Sequence, residues 1–288
     1  MDLRQLEYVV AIADTGSFTA AAASVHTSQP SISHGVRSLE AELGVDVFFR
    51  LGRTVAPTPA GEAIIAGARQ VLRDAETVRA IAADASGLAG GRVDLVTLPT
   101  LASDPVAGLI GLFRRAHPAV VVRVTEPEGD GTLLSEVASG RAEIGITDLG
   151  GGSGALVSVP LFDQELLAVA PPGTALAPHG IAALTLGRQP FVATPPGTST
   201  RRLLDAIVPD VDVAVEIAHR DAILPLVLAG AGSALLPAPL AHEAARRGAS
   251  VAPLRPRVTR PIGVVHRAGP LSPGARALLA IAVEQLVT

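Results

Sequence analysis

Residues 17–43, SFTAAAASVHTSQPSISHGVRSLEAEL, leave little freedom in how the start of this 288-residue chain can fold. Gly16 and Ser17 supply a turn residue and an N-cap. The alanine run after Phe18 has the highest intrinsic helix propensity, so a short helix is predicted up to Val25. His26 and Thr27 interrupt the pattern, and Ser28 caps a second helix whose first turn holds Pro30, where a missing N–H costs little. Ile32, Val36, Leu39 and Leu43 recur at the spacing of one helical face, which turns them toward the preceding helices. The opposite face carries Pro30, Ser33, His34 and Arg37. Two helices joined by a short turn, the second with small hydroxyls and a cation outward, fit the arrangement whose second helix enters the DNA major groove.

Charge stands against that reading. Among residues 1–60, Arg4, Arg37, Arg50 and Arg53 face Asp2, Glu7, Asp14, Glu40, Glu42 and Asp46, a net −2, whereas phosphate neutralisation supplies much of the affinity for DNA. Placement has to compensate: Arg37 sits on the reading face, and Arg50 and Arg53 bracket a hairpin wing that can grip phosphate or enter the minor groove. So few cations per subunit also imply that one copy binds weakly and that self-association is needed.

Composition excludes several chemistries. Cysteine is absent, which removes disulfides and thiolate metal sites and fits a reducing cytoplasm. The 23 basic residues are all arginine, so there is no P-loop lysine and no Schiff-base chemistry. Neither HExxH nor GxSxG occurs, no metal or cofactor site is predicted, and the chain reads as a non-enzyme. The start, MDLRQLEYVV, is an amphipathic helix rather than an export signal, and the uncharged residues 166–187 are broken by prolines, so no membrane span is expected.

Beyond the reader, residues 45–55 read as the wing with Gly52 at its turn, and Thr58 with Pro59 opens a long helix. Ile64, Ala68, Val71, Ala75, Val78 and Ala82 repeat at alternating spacings of four and three, a coiled-coil seam that calls for a partner helix; an intramolecular core helix is the alternative. Residues 86–91 read as a hinge, and after it strand-like and helical runs alternate, predicting β/α units on a largely parallel sheet. Ligands of open α/β sheets bind beyond the carboxyl ends of strands. Thr97, Pro99, Thr100 and Ser103 follow the first strand, and Thr198, Ser199 and Thr200 open a helix whose free N–H groups suit a carboxylate. Asp148 and His219 qualify by the same logic, although hydroxyls at helix starts also serve as caps alone and His219 fits a surface cap.

Residues 1–61 resemble the winged helix-turn-helix of LysR-type transcriptional regulators. The blocks that carry the likeness are residues 3–8, 16–22, 28–33, 39–44 and 48–61, in the family's order. The family usually has a polar residue where this chain has Gly35, a helix-weakening choice that suggests a more adaptable reader. Phrases at 113–118, 140–146 and 229–237 extend the likeness to an effector half with a two-lobed fold similar to type 2 periplasmic binding proteins.

The resemblance implies an all-α winged helix-turn-helix over 1–58 (the helix-turn-helix itself about 17–37), a linker helix over 59–85 and an α/β effector domain over 92–288. The lobes would divide as 92–161 with 262–288, and 162–261. It implies double-stranded DNA as a partner, contacted by Gln29, Pro30, Ser31, Ser33, His34, Arg37, Arg50 and Arg53. It further implies a small-molecule effector in the inter-lobe cleft and a dimer or tetramer paired through the linker helix. A solute-binding module or an enzyme without DNA activity is the competing reading.

Overall fold

The computed structural model describes residues 1–51, 54–84, 91–127, 130–177, 179–187 and 189–287. Three helices open the chain: α1 (Leu3–Thr15), α2 (Phe18–Ser24) and α3 (Gln29–Leu43). Each has the cap its sequence offers, with Asp2, Ser17 and Ser28 accepting from the backbone N–H three residues on and glycines in left-handed geometry ending α1 and α3. Val9, Ile12, Ala21, Ile32, Val36 and Leu39 are buried among them. β1 (Phe48–Leu51) and β2 (Thr54–Pro57) pair antiparallel as the wing. Gly52 and Arg53 at its turn lie outside the described residues, as does the side chain of Arg50.

α4 (Pro59–Asp84) follows, its first turn held by Thr58, whose hydroxyl accepts from the Gly61 N–H at 2.8 Å. The predicted seam divides along its length. Ile64 and Ala68 pack into the reader's own core, whereas Val71 and Val78 are exposed. The side chain of Ala82 and residues 86–90 of the expected hinge lie outside the described residues.

The effector half begins with β3 (Gly91–Thr97), α5 (Pro99–Leu101), a π-type turn over Ala102–Val106, α6 (Ala107–Ala116), β4 (Val120–Thr125), α7 (Asp130–Ala138) and β5 (Ile144–Asp148). It continues through β6 (Val157–Ala170), β7 (Ile181–Ala182), α8 (Ala183–Leu186), β8 (Phe191–Ala193), α9 (Ser199–Ile207) and β9 (Val213–Glu216). α10 (Ile223–Leu228), β10 (Ala234–Pro237), α11 (Ala238–Arg246), β11 (Ser250–His266) and α12 (Pro273–Leu286) complete it.

The sheet is mixed, not largely parallel. β3 pairs parallel with β4 and β5, but β11 runs antiparallel to β5 and β6, and β10 antiparallel to β6, in the order β10-β6-β11-β5-β3-β4. The two long strands make the difference, because each serves both lobes. β11 faces β5 through residues 262–266 and carries residues 250–254 into the second lobe beside β6 and β7. One apolar core surrounds Leu95, Phe113, Leu133, Ile146 and Leu278, so α12 returns to the first lobe; two others, around Phe191 and Val227, flank β6 in the second.

Candidate nucleic-acid interface and effector cleft

α3 separates its two faces as far as Leu39, whereas Leu43, expected on the buried face, is 39% exposed in the last turn. Ile32, Val36 and Leu39 are inaccessible, while Gln29, Pro30, Ser31, His34 and Arg37 are exposed and Ser33 is half-buried. The Ser31 hydroxyl lies 2.7 Å from that of Ser28, so it belongs to the cap as well as to the outer face. Gly35 answers to packing rather than adaptability. A Cβ there would lie 2.7 Å from Cδ2 of Tyr8, so the glycine lets α1 and α3 approach around that ring.

The acidic balance of the reader also resolves on inspection. Asp2 caps α1, Asp14 pairs with Arg69, Glu42 pairs with the N-terminal ammonium, and buried Glu40 accepts from the backbone N–H of Val47 at 2.9 Å. Four of the six carboxylates therefore have partners, Glu40 buried and Asp2, Asp14 and Glu42 still in contact with solvent, and Arg4 and Arg37 stand exposed. Net charge misrepresents the field a DNA backbone would meet there.

Between the lobes lies a second constellation, organised by a residue that sequence patterning missed. Arg260 of β11 is 1% exposed. Its Nε and Nη2 donate to Gln164 Oε1 at 2.9 and 2.6 Å, Nη2 also to Thr100 Oγ1 at 2.9 Å, and Nη1 to Ser199 Oγ at 3.0 Å. Ser199, at the start of α9, donates in turn to the carboxylate of Asp148, which lies 3.7 Å from the guanidinium of Arg202. The ladder places Arg260 directly opposite Gln164, and no local motif signals it. Only that register could have revealed it.

Of the expected effector residues, Thr100, Asp148 and Ser199 meet in this network. Thr97 lies behind it, fully buried and bonded to the Ile146 carbonyl at 3.2 Å. Thr198 serves as the N-cap of α9 with its hydroxyl 2.6 Å from that of Thr194. Pro99 and Thr200 are half-buried, while Ser103 and His219 are exposed and do not join the network. The buried guanidinium of Arg260, the hydroxyls of Thr100 and Ser199, the carboxylate of Asp148 and the guanidinium of Arg202 form one polar cluster between the lobes, chemistry able to orient a small polar or anionic ligand.

Comparison with known proteins agrees with both halves. Residues 3–62 match the family described as bacterial regulatory helix-turn-helix protein, lysR family, and residues 86–287 match the LysR substrate binding domain. OxyR of Escherichia coli K12, a DNA-binding transcriptional dual regulator, is 30% identical over 276 residues, covering 93% of this chain and 90% of that protein. A hydrogen peroxide-inducible genes activator of Dickeya chrysanthemi is 29% identical with the same coverage. Among solved structures, a full-length OxyR variant from Pseudomonas aeruginosa superposes with a TM-score of 0.77 at 28% identity, over 99% of this chain and 95% of that one. The fold is shared too with CbnR in complex with its target DNA, TM-score 0.59 at 22% identity, over 99% of each chain. With a helix-turn-helix reader and a two-lobed effector domain matched along nearly its whole length, the chain belongs to the LysR family of transcriptional regulators.

Proposed function

We propose that this regulator reads DNA through Gln29, Pro30, Ser31, Ser33, His34 and Arg37, with Arg50 and Arg53 of the wing on phosphate, and that a small anion bound between the lobes controls it. The observation that carries the reading is the clean division of α3 into a buried row and an exposed polar row ending in Arg37. Sequence-specific contacts need such a ridge free to enter the major groove. Two subunits pairing through α4 would present two ridges to spaced half-sites, the low cation count of each being offset by doubling. The setting is the cytoplasm, and the protein acts by binding, without an enzymatic step.

The effector is a reversibly bound anion, such as a small carboxylate, held by Arg260, Ser199 and Thr100. Several relatives carry names that refer to hydrogen peroxide. Peroxide modifies proteins chiefly through cysteine thiolates, and this chain has no cysteine and a single methionine, Met1. A bound ligand, with its differential affinity for two lobe arrangements, is left to do the switching.

A gel shift with the upstream region of its own gene, repeated over several salt concentrations, tests the reader. Arg37→Ala should relax base preference, and Arg50→Ala should weaken all sequences and flatten the salt slope. Absence of specific binding would leave a solute-binding module in its place. For the cleft, a panel of mono- and dicarboxylates at ionic strength matched with chloride should contain one that raises the melting temperature of the full chain. Ser199→Ala should abolish that rise. A panel without any stabilising member would remove the carboxylate assignment.

A further inference from the structure

Between the reading head and the first lobe lies a cavity of about 460 Å³. Small-molecule sites usually measure about 300–1,000 Å³. None of Thr100, Asp148, Gln164, Ser199 and Arg260 lines it, so it is separate from the inter-lobe network. Five guanidiniums and four carboxylates do line it, and they are distributed unevenly between its two walls.

The lobe wall is rich in unspent donors. Arg92 and Asp94 stand on one face of β3, and the ladder sets Arg123 of β4 directly beside Asp94. Arg141, just past α7, extends this wall. Arg92 donates from Nε to Asp94 at 3.1 Å, and Arg141 from Nε to Glu136 at 2.8 Å. In both pairs the Nη groups make no hydrogen bond among the described residues, and the two side chains are 44% and 45% exposed. Arg123 is exposed and has no partner among the described residues. Three guanidiniums with free N–H groups therefore share one wall. A carboxylate offers two oxygens to such a set, whereas a phosphate monoester offers three, each able to accept from a guanidinium fork.

The head wall supplies different chemistry. Asp14 is paired with Arg69, whose other Nη donates to the Ser139 carbonyl at 2.9 Å. Arg73 is 7% exposed, and its Nη groups donate to the Gly140 carbonyl at 2.7 Å and to Gln70 Oε1 at 2.9 Å, while its Nε is buried without a partner. Burial lowers the pKa of that guanidinium, so a negative charge arriving in the cavity is favourable to it. Val10 and Leu72, at the edge of the head's core, add an apolar patch. Glu76 is exposed and unpaired among the described residues, and its charge keeps an anion toward the lobe side.

We propose that this cavity is a second ligand site and that it takes a small phosphate ester, with the phosphate on Arg92, Arg123 and Arg141 and the organic part against Val10 and Leu72. The site uses neither the reading face of α3 nor the residues between the lobes, so it stands independently of the functions proposed for those surfaces.

The test is calorimetric titration of the full chain with phenyl phosphate and with inorganic phosphate, ionic strength being held constant with chloride. Phenyl phosphate should bind, and inorganic phosphate should bind more weakly by about fivefold for want of the apolar contact. Arg123→Ala should weaken both by about tenfold, the loss expected for charge-assisted hydrogen bonds. Arg123 has no partner to leave behind, and Arg141→Ala gives a second reading of the same wall. Glu76→Gln should tighten binding by about twofold or more, because it removes the opposing charge. Ser199→Ala between the lobes and Arg37→Ala on the reader should leave the affinity unchanged. Binding no tighter than that of chloride, binding indifferent to Arg123→Ala, Arg141→Ala and Glu76→Gln, or binding lost in Ser199→Ala or Arg37→Ala would each overturn the proposal, the last by moving the anion to one of the other two surfaces.

Discussion

Gly35 shows how a residue that looks like a weakness in a helix can be dictated by its neighbour. Glycine inside a helix costs about 1 kcal/mol relative to alanine, so propensity alone predicts that Gly35→Ala stabilises the protein. The Tyr8 ring predicts the opposite, because a methyl group at 35 would sit 2.7 and 2.9 Å from two of its carbons. Overpacking of this kind costs about 1–3 kcal/mol, which exceeds the propensity gain. Gly35→Ala should therefore lower the midpoint of urea unfolding, and pairing it with Tyr8→Leu should recover part of the loss. A more stable single variant would show that the ring moves aside freely. Sequence reasoning saw this glycine and missed its cause, since the cause is a ring on another helix, 27 residues earlier in the chain, rather than a local pattern. Caps were the easier signal: Ser17, Ser28 and Thr58 announce helix starts because the hydroxyl and the N–H it satisfies are three residues apart. Arg260 gave no such signal, because its partners Thr100, Gln164 and Ser199 come from three distant segments.

At the scale of elements, the helices and short strands of the β/α units were legible from periodicity, whereas the two long strands were not. β11 contains Pro253, Pro256 and Pro261, residues that ordinarily demote a segment from the interior of a sheet. The ladder with β6 slips between Pro253 and Val258, where Pro256 falls, and again between Ile262 and Gly263, one residue past Pro261, while Pro253 and Pro261 keep their places opposite Leu167 and Asp163. The wing illustrates a different element-scale dependence. Glu40 projects from the buried side of α3 and accepts the N–H groups of Val47 at 2.9 Å and Phe48 at 3.4 Å, tying the reading helix to the first wing strand. Glu40→Ala would leave buried donors unpaired, at a cost of about 1–3 kcal/mol, and would free the wing from α3. The variant should unfold at lower urea and bind DNA less tightly, with Glu40→Gln retaining most of both because its amide oxygen can still accept. Equal losses in the two variants would mean that the charge, not the hydrogen bonds, matters there.

For the molecule as a whole, the deciding question is what covers the outer half of α4. The seam predicted from spacing has two fates: Ala68 is consumed by the reader's core, while Val71 and Val78, one heptad apart, are 43% and 66% exposed. Valines at such spacing on a 26-residue helix form the stripe a coiled coil buries, and each fully buried valine contributes about 1.5–3 kcal/mol. A second copy of the same helix supplies the matching stripe, because an isologous pair presents identical residues to each other. Pairing would also resolve the reader's shortage of cations, since two heads joined rigidly bind spaced half-sites with an effective concentration that neither reaches alone. The double substitution Val71→Asp with Val78→Asp places two carboxylates from each subunit on that seam. Sedimentation should then show a shift to single subunits, with affinity for a duplex carrying two half-sites reduced to that for one. The variant's melting curve should stay cooperative, because neither valine lies in the core of its own chain. Retention of the oligomer with full affinity would place the pairing surface elsewhere and leave the exposed valines unexplained.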